Sequence, residues 1–175
     1  MLLIDACVAI NLVATDHLDE IASTLCVTFF FVRQAADEVG ELREMFEEEM
    51  IVTPIDLSKY ASSALHIIDL RPVEYALYVE LAASVGDGEA ATIAVAHHRS
   101  LPLATDDRKA RKVCGAYLVP EPMRTLALLH AYVGAVPIAH DQARELLLRV
   151  RRRASFRPPR ADPNYDWWTD LVGDN

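Results

Sequence analysis

The sequence has no uninterrupted apolar run approaching the roughly 20 residues that a membrane-spanning helix needs, which excludes a helical membrane protein. Cysteine is scarce: Cys7, Cys26 and Cys114 form an odd, scattered set of 3 without a CxxC spacing. Neither a disulfide framework nor a zinc site can be built from such a set, so buried free thiols in a reducing compartment are expected. The opening residues MLLIDACVAINLV lack a basic segment and are interrupted by Asp5, so no secretory signal is expected. Positive charge is short as well. With 17 Lys and Arg against 26 Asp and Glu, the net charge is −9, which argues against an architectural duplex-DNA binder with a broad basic face. Nucleic acid stays open as a substrate, because carboxylates that gather divalent ions count as negative while the loaded site attracts phosphate. A cytoplasmic protein without membrane association is the expectation.

What is present is enough apolar material, 52% of 175 residues, for one domain with a sizeable core. Met1–Ile4 reads as a buried strand delivering Asp5 at its carboxyl end, followed by a helix beginning at Val8–Val13. Cys26–Val32, β-branched and aromatic, reads as a second strand. Gln34–Met50 carries Val39, Leu42, Met45 and Phe46 at a helical period, and Ile51–Ile55 reads as a short edge strand limited by Pro54. Lys59–Leu70 and Pro72–Val85 are predicted as two helices. Gly86-Asp87-Gly88-Glu89 is a loop signal before a small, apolar helix. Leu101–Thr105 is a short strand ending in Asp106-Asp107, Arg108–Cys114 starts a helix, and Ala116–Val119 is a candidate last strand. Strands alternating with helices predict a three-layer α/β/α architecture around a mostly parallel sheet over residues 1–135. Residues 136–175 add a C-terminal helix, His140–Arg153, and an arginine-rich tail to the same domain.

In open parallel sheets, ligands bind at the carboxyl ends of the strands. Asp5 and Asp106-Asp107 fall there directly. Glu89 lies in the first turn of the next helix, where the helix dipole favours a carboxylate, and Glu38 follows the second strand on the same side. Each acid alone is readily explained as a cap or a solvated charge. Four segments placing acids at one end of one sheet are better explained as hard oxygen ligands for Mg2+ or Mn2+. Two such ions, about 3.5–4 Å apart, can activate water and stabilise the leaving oxygen of a phosphodiester.

The segments LLIDACVAINL, FFFVRQAADEV, GDGEAATIAVAHH and LPLATDDRKAR, in this order, resemble the PIN-domain ribonuclease family, most of all the VapC-type toxins of type II toxin–antitoxin systems. The resemblance covers residues 1–120. It implies a PIN-like fold and an endoribonuclease in which acids hold one or two Mg2+ or Mn2+ ions and water displaces the 3′ oxygen, leaving a 5′ phosphate. Carried across, the catalytic quartet is Asp5, Glu38, Glu89 and, by the T-x-D spacing, Asp107. Asp106 stands beside it as a further metal ligand, Thr105 as polar support for the metal and its water. Ala6 and Cys7 stand where the family often has Ser or Thr, and Val32 where proline usually opens the helix of the second acid. Glu41, three residues along that helix, is the fallback ligand, and Asp87 a supporting acid. The resemblance further implies a small antitoxin partner and a homodimer.

Other charged features divide between chemistry and solvation. Arg108, Lys109, Arg111 and Lys112 either meet the RNA backbone or balance the neighbouring acids. His97 and His98 read as surface or capping residues. The Arg144–Arg160 block, with Phe156, offers a phosphate-tracking arm, a dimer contact or a docking surface for the acidic Asp37–Glu49 segment. Tyr165, Trp167 and Trp168 form a contact anchor. The toxin reading therefore stands beside a PIN nuclease of RNA processing and a catalytically idle PIN-like binding module. An aspartyl-phosphate phosphatase would need Asp-x-Asp after the first strand, and Asp5-Ala6-Cys7 does not provide it.

Overall fold

The computed structural model describes residues 1–60, 64–117 and 119–173, with the backbone alone at Phe46. Leu2–Ile4 (β1), Phe29–Val32 (β2), Leu65–Ile68 (β5) and Leu103–Ala104 (β6) form a four-stranded parallel sheet in the order β5-β2-β1-β6. Side chains alternate across a strand, and β1 shows the result. Leu2 and Ile4 join one apolar cluster with Phe29 and Phe31, whereas Leu3 joins another with Val32 and Leu103. Helices Ala6–Ala14 (α1), Leu18–Thr24 (α2), Thr125–Ala135 (α7) and His140–Arg153 (α8) contribute buried side chains to the first cluster. Tyr75–Ala82 (α4), Asp87–Arg99 (α5) and Arg108–Ala116 (α6) contribute to the second. The chain is thus an α/β protein with apolar layers on both faces of a parallel sheet.

Strand order locates the crevice. From β1 the chain adds β2 and β5 on one side and then crosses to place β6 on the other, so the direction of winding reverses between β1 and β6. At such a switch point the flanking connections diverge to opposite faces and leave an opening at the carboxyl ends of the strands. Asp5 and Thr105 are the first residues beyond those two ends.

Several predicted elements differ. The helix expected over Gln34–Met50 is a short helix, Arg33–Ala36 (α3), followed by an antiparallel hairpin of Glu41–Phe46 (β3) and Glu49–Pro54 (β4). Its turn is Glu47-Glu48, both with positive φ (53° and 93°), a backbone form usually supplied by Asn or Gly. Nothing in the side chains announces it. In the hairpin Leu42 is buried, while Met45, Met50, Ile51 and Val52 remain exposed. The strand expected at Ile51–Ile55 is thereby extended and belongs to a separate two-stranded sheet.

The helix expected over Lys59–Leu70 is instead a 3-10 turn at Leu57–Tyr60 and strand β5, with Ala61–Ser63 outside the described residues. Four apolar or aromatic residues in a row fit either period, and pairing with β2 from Phe29↔Leu65 to Val32↔Ile68 decides for the strand. Pro72–Val85 resolves into a 3-10 turn at Pro72–Glu74 and α4. No strand forms as expected at Ala116–Val119 among the described residues: Ala116 closes α6, Leu118 lies outside them, and the additional pairing is a single bridge between Ala104 and Met123.

The C-terminal segment is packed into the domain. Ala143, Leu146, Leu147 and Val150 of α8 share the core cluster of β1 and α1, and Trp168 of Tyr165–Val172 (α9) sits edge-on to Phe156 with ring centroids 5.5 Å apart. The aromatic anchor is intramolecular. Arg149 and Arg153 pair with Asp16, and Arg152 and Arg153 reach Glu44 on β3 at 3.6 and 3.8 Å. The arginines therefore do meet the acidic segment of the same chain, as a hairpin rather than a helix. Among the described residues no helix is long and apolar enough to cross a membrane.

Candidate functional site

Asp5 leaves β1 and caps α1. Its Oδ1 accepts from the Ala6 amide at 2.7 Å, and Oδ2 accepts from the Thr105 hydroxyl at 2.8 Å and from the Cys7 thiol at 3.4 Å. At 3% exposure it is a buried charge, which requires such donors. Thr105, equally buried beyond β6, also accepts from the Asp107 amide at 3.1 Å through the same hydroxyl oxygen. One threonine thus ties together two acids separated by about a hundred positions of sequence. Asp107 in turn caps α6, its Oδ1 accepting from the Ala110 amide at 2.7 Å.

The other two acids of the expected quartet meet at the start of α5. Glu89 reaches back to accept from the Gly86 amide through Oε2 at 2.8 Å, a one-way side-chain cap that fixes its rotamer near the helix N-terminus. Glu38, just beyond α3, accepts from the Gly88 amide through Oε1 at 2.7 Å. Gly88 is required by closeness: a Cβ there would stand 2.7 Å from Ala35 Cα and 2.8 Å from the Glu38 carboxyl carbon. The absence of a side chain lets α3 dock on α5 and brings Glu38 alongside Glu89.

Electrostatics unites the four. The pKa of Glu89 is raised, first by burial and then by the negative charges of Asp107, Asp5 and Glu38, against the pull of the Gly86 amide. The other three quartet acids are therefore each within electrostatic reach of Glu89. Among the described residues, Oε1 of Glu89, Oε2 of Glu38 and Oδ2 of Asp107 have no hydrogen-bond donor. Hard oxygens with free lone pairs under mutual repulsion are the donor set that Mg2+ or Mn2+ takes. The acids fit such an ion in kind, although no group of three His, Cys, Asp or Glu among the described residues is drawn into a ready-made cage.

Asp106 is placed differently from Asp107. Its Oδ1 accepts from the Thr125 amide at 3.0 Å; its Oδ2 accepts from the Thr125 hydroxyl at 2.6 Å and from Asn11 Nδ2 at 3.1 Å. Burial raises its pKa more than these hydrogen bonds lower it. Its carboxylate anchors the start of α7 to α1 and has less capacity left for a metal than Asp107. Asn11 and Thr125 escape a reading of the sequence alone. Asn11 has a legible signal, as the one polar side chain within ACVAINLVA, whereas Thr125 has none. Cys7 is likewise missing from the expected site; burial and then the Asp5 charge hold its thiol far above the ordinary range, so it is an inert neighbour rather than a nucleophile.

Other candidates lie apart. Glu41 sits on β3, not on a helical face shared with Glu38, and pairs with Arg43 at 2.8 Å, so the premise of the fallback ligand is corrected. Asp87 is exposed and accepts from the Tyr78 hydroxyl at 2.6 Å. Among the four cations of α6, Arg111 is turned inward, where it donates to the carbonyls of Thr105, Pro122 and Met123 and pairs with Glu121. It clasps the loop behind Thr105, while Arg108, Lys109 and Lys112 are exposed. His97 Nδ1 lies 2.8 Å from the Tyr117 carbonyl, binding α5 to the end of α6. Comparison of the chain with protein-family models, curated proteins and solved structures found no match.

Proposed function

We propose that this chain is a PIN-type, metal-dependent endoribonuclease that hydrolyses RNA phosphodiester bonds at Asp5, Glu38, Glu89 and Asp107. The observation that carries the reading is the convergence at the switch point. The three charges acting most strongly on Glu89 are those of the other three acids, which come from three different segments. A bound Mg2+ or Mn2+ would lower the pKa of an attacking water and neutralise charge on the phosphate. Asp5, Glu89, Asp107 and Glu38 are the residues to hold it, with Asp106 as an alternative oxygen donor. Thr105 orients Asp5 relative to Asp107, and Gly88 positions Glu38. Hydrolysis adds water across the P–O3′ bond: oxygen joins phosphorus, and the departing 3′ oxygen takes up a proton.

Within this reading the protein is the toxin of a toxin–antitoxin pair, works as a homodimer in the cytoplasm, and is held in check by a small antitoxin. These parts rest on the resemblance of the four segments alone. A nuclease of RNA processing would use the same acids. The idle binding module loses its proposed contact element, since Trp168 is buried and Trp167 packs against His130 at 4.7 Å between ring centroids.

The test is cleavage of a labelled RNA pool by purified protein with Mg2+, Mn2+ or EDTA. Wild type should cut only with metal, and Asp5→Asn and Glu89→Gln should each lower the rate by at least about 100-fold, as loss of a group acting on developing charge does. Folded protein that cuts equally in EDTA, or folded variants that retain the wild-type rate, would sink the proposal.

A further inference from the structure

The chain has a surplus of acid, and part of it is met by arginines near the C-terminus. Arg149, Arg152 and Arg153 are committed to Asp16, Glu44 and Glu145. Arg157 and Arg160 are exposed and form no ion pair among the described residues. Both line a cavity of about 240 Å3 together with Arg151, Tyr165 and Trp168. Guanidinium groups gathered around one opening suit a polyanion.

A second cavity, of about 370 Å3, lies on the side of the acids. Arg157 lines it as well, together with Cys7, Asn11, Asp106 and Phe156. Cys7 touches Asp5, and Asp106 adjoins the Asp107 cap. Arg157 is thus common to the arginine-lined opening and to a cavity, between α1 and the segment after α8, that reaches residues beside the acidic cluster.

We infer that these two cavities, which meet at Arg157, are the path of single-stranded RNA, with Arg157 and Arg160 holding a backbone phosphate that flanks the scissile one. The inference rests on the nuclease reading proposed above. A carboxylate cluster repels the phosphodiester on either side of the one it attacks, so a cationic contact displaced from the acids is what keeps the strand seated. Arg157 and Arg160 are exposed cations without an ion pair among the described residues, and Arg157 also lines the cavity that reaches Cys7 and Asp106. A duplex is disfavoured, because the path is bounded on both sides by α1 and by the Ser155–Pro159 segment.

The test is fluorescence anisotropy in EDTA with a labelled single-stranded RNA oligonucleotide, with cleavage of the same RNA in Mn2+ measured on the same samples. Arg157→Ala/Arg160→Ala should weaken binding about 10-fold or more and reduce the slope of log affinity against log salt by about 0.7 for each phosphate that is no longer neutralised. Arg157→Lys/Arg160→Lys should recover much of the affinity, and Arg144→Ala/Lys59→Ala, with the same change of net charge, should bind as wild type does. Unchanged RNA affinity and salt slope in the alanine variant, with wild-type cleavage intact, overturns the path and leaves the nuclease standing. Loss of binding to a poly-glutamate peptide with RNA affinity unchanged overturns it in favour of an acidic protein segment. Wild-type protein that neither binds nor cuts RNA overturns the nuclease reading itself.

Discussion

Glu89 is the residue on which the charges of the site converge, and its protonation connects stability to pH. An acid whose folded pKa lies above its unfolded value of 4.5 holds more protons folded than unfolded between the two. The stability is therefore full below the unfolded value and is lost as pH rises through the folded one. Removing the charge should show the penalty: in metal-free protein Glu89→Gln should raise the melting temperature near neutral pH by about 1–3 °C and leave it unchanged near pH 4. Equal shifts at both pH values would mean that the glutamine acts through packing instead. The acids are legible individually, because a carboxylate after a strand or before a helix has a position that sequence can specify. Their supports are not: Thr125 hydrogen-bonds Asp106 from 19 residues away, and only the folded chain brings them together.

At the scale of elements, the contact of α3 with α5 governs the geometry of the second acid. Gly88→Ala would force its methyl group into Ala35 Cα and the Glu38 carboxyl. Because backbone is on one side of that contact, the helices must separate, which should cost about 1–3 kcal/mol as overpacking does and lower cleavage by displacing Glu38. Chemical denaturation and RNA cleavage should both register the change; a stable, fully active variant would show that α3 is free to shift. Here the sequence points to the right elements for β1, α5, α6 and α8. It misleads over Gln34–Met50 and Lys59–Leu70, on either side of the expected strand at Ile51–Ile55. A hairpin turned by two glutamates in positive φ and a strand of four residues leave no pattern that distinguishes them from helix.

For the whole molecule, the tail contributes to the core rather than hanging from it. Trp168, 4% exposed, joins the cluster that also holds β1, α1 and α8. Trp168→Ala should cost about 3–5 kcal/mol, the usual loss for a buried aromatic, read as a lower urea midpoint in a single transition. A transition unchanged from wild type would mean that α9 folds independently of the sheet. The parallel sheet and its layers can be anticipated from alternating elements, whereas the return of the tail to β1 cannot, because contacts between distant segments have no local period. The same long reach sets a clock. The Asp5–Thr105 hydrogen bond spans 100 positions, so at about 5–20 residues per second of synthesis a ribosome carries Asp5 for several seconds before its partner exists. No nascent chain shorter than that span can join Asp5 to Thr105, and the four acids come together only after β6 has emerged.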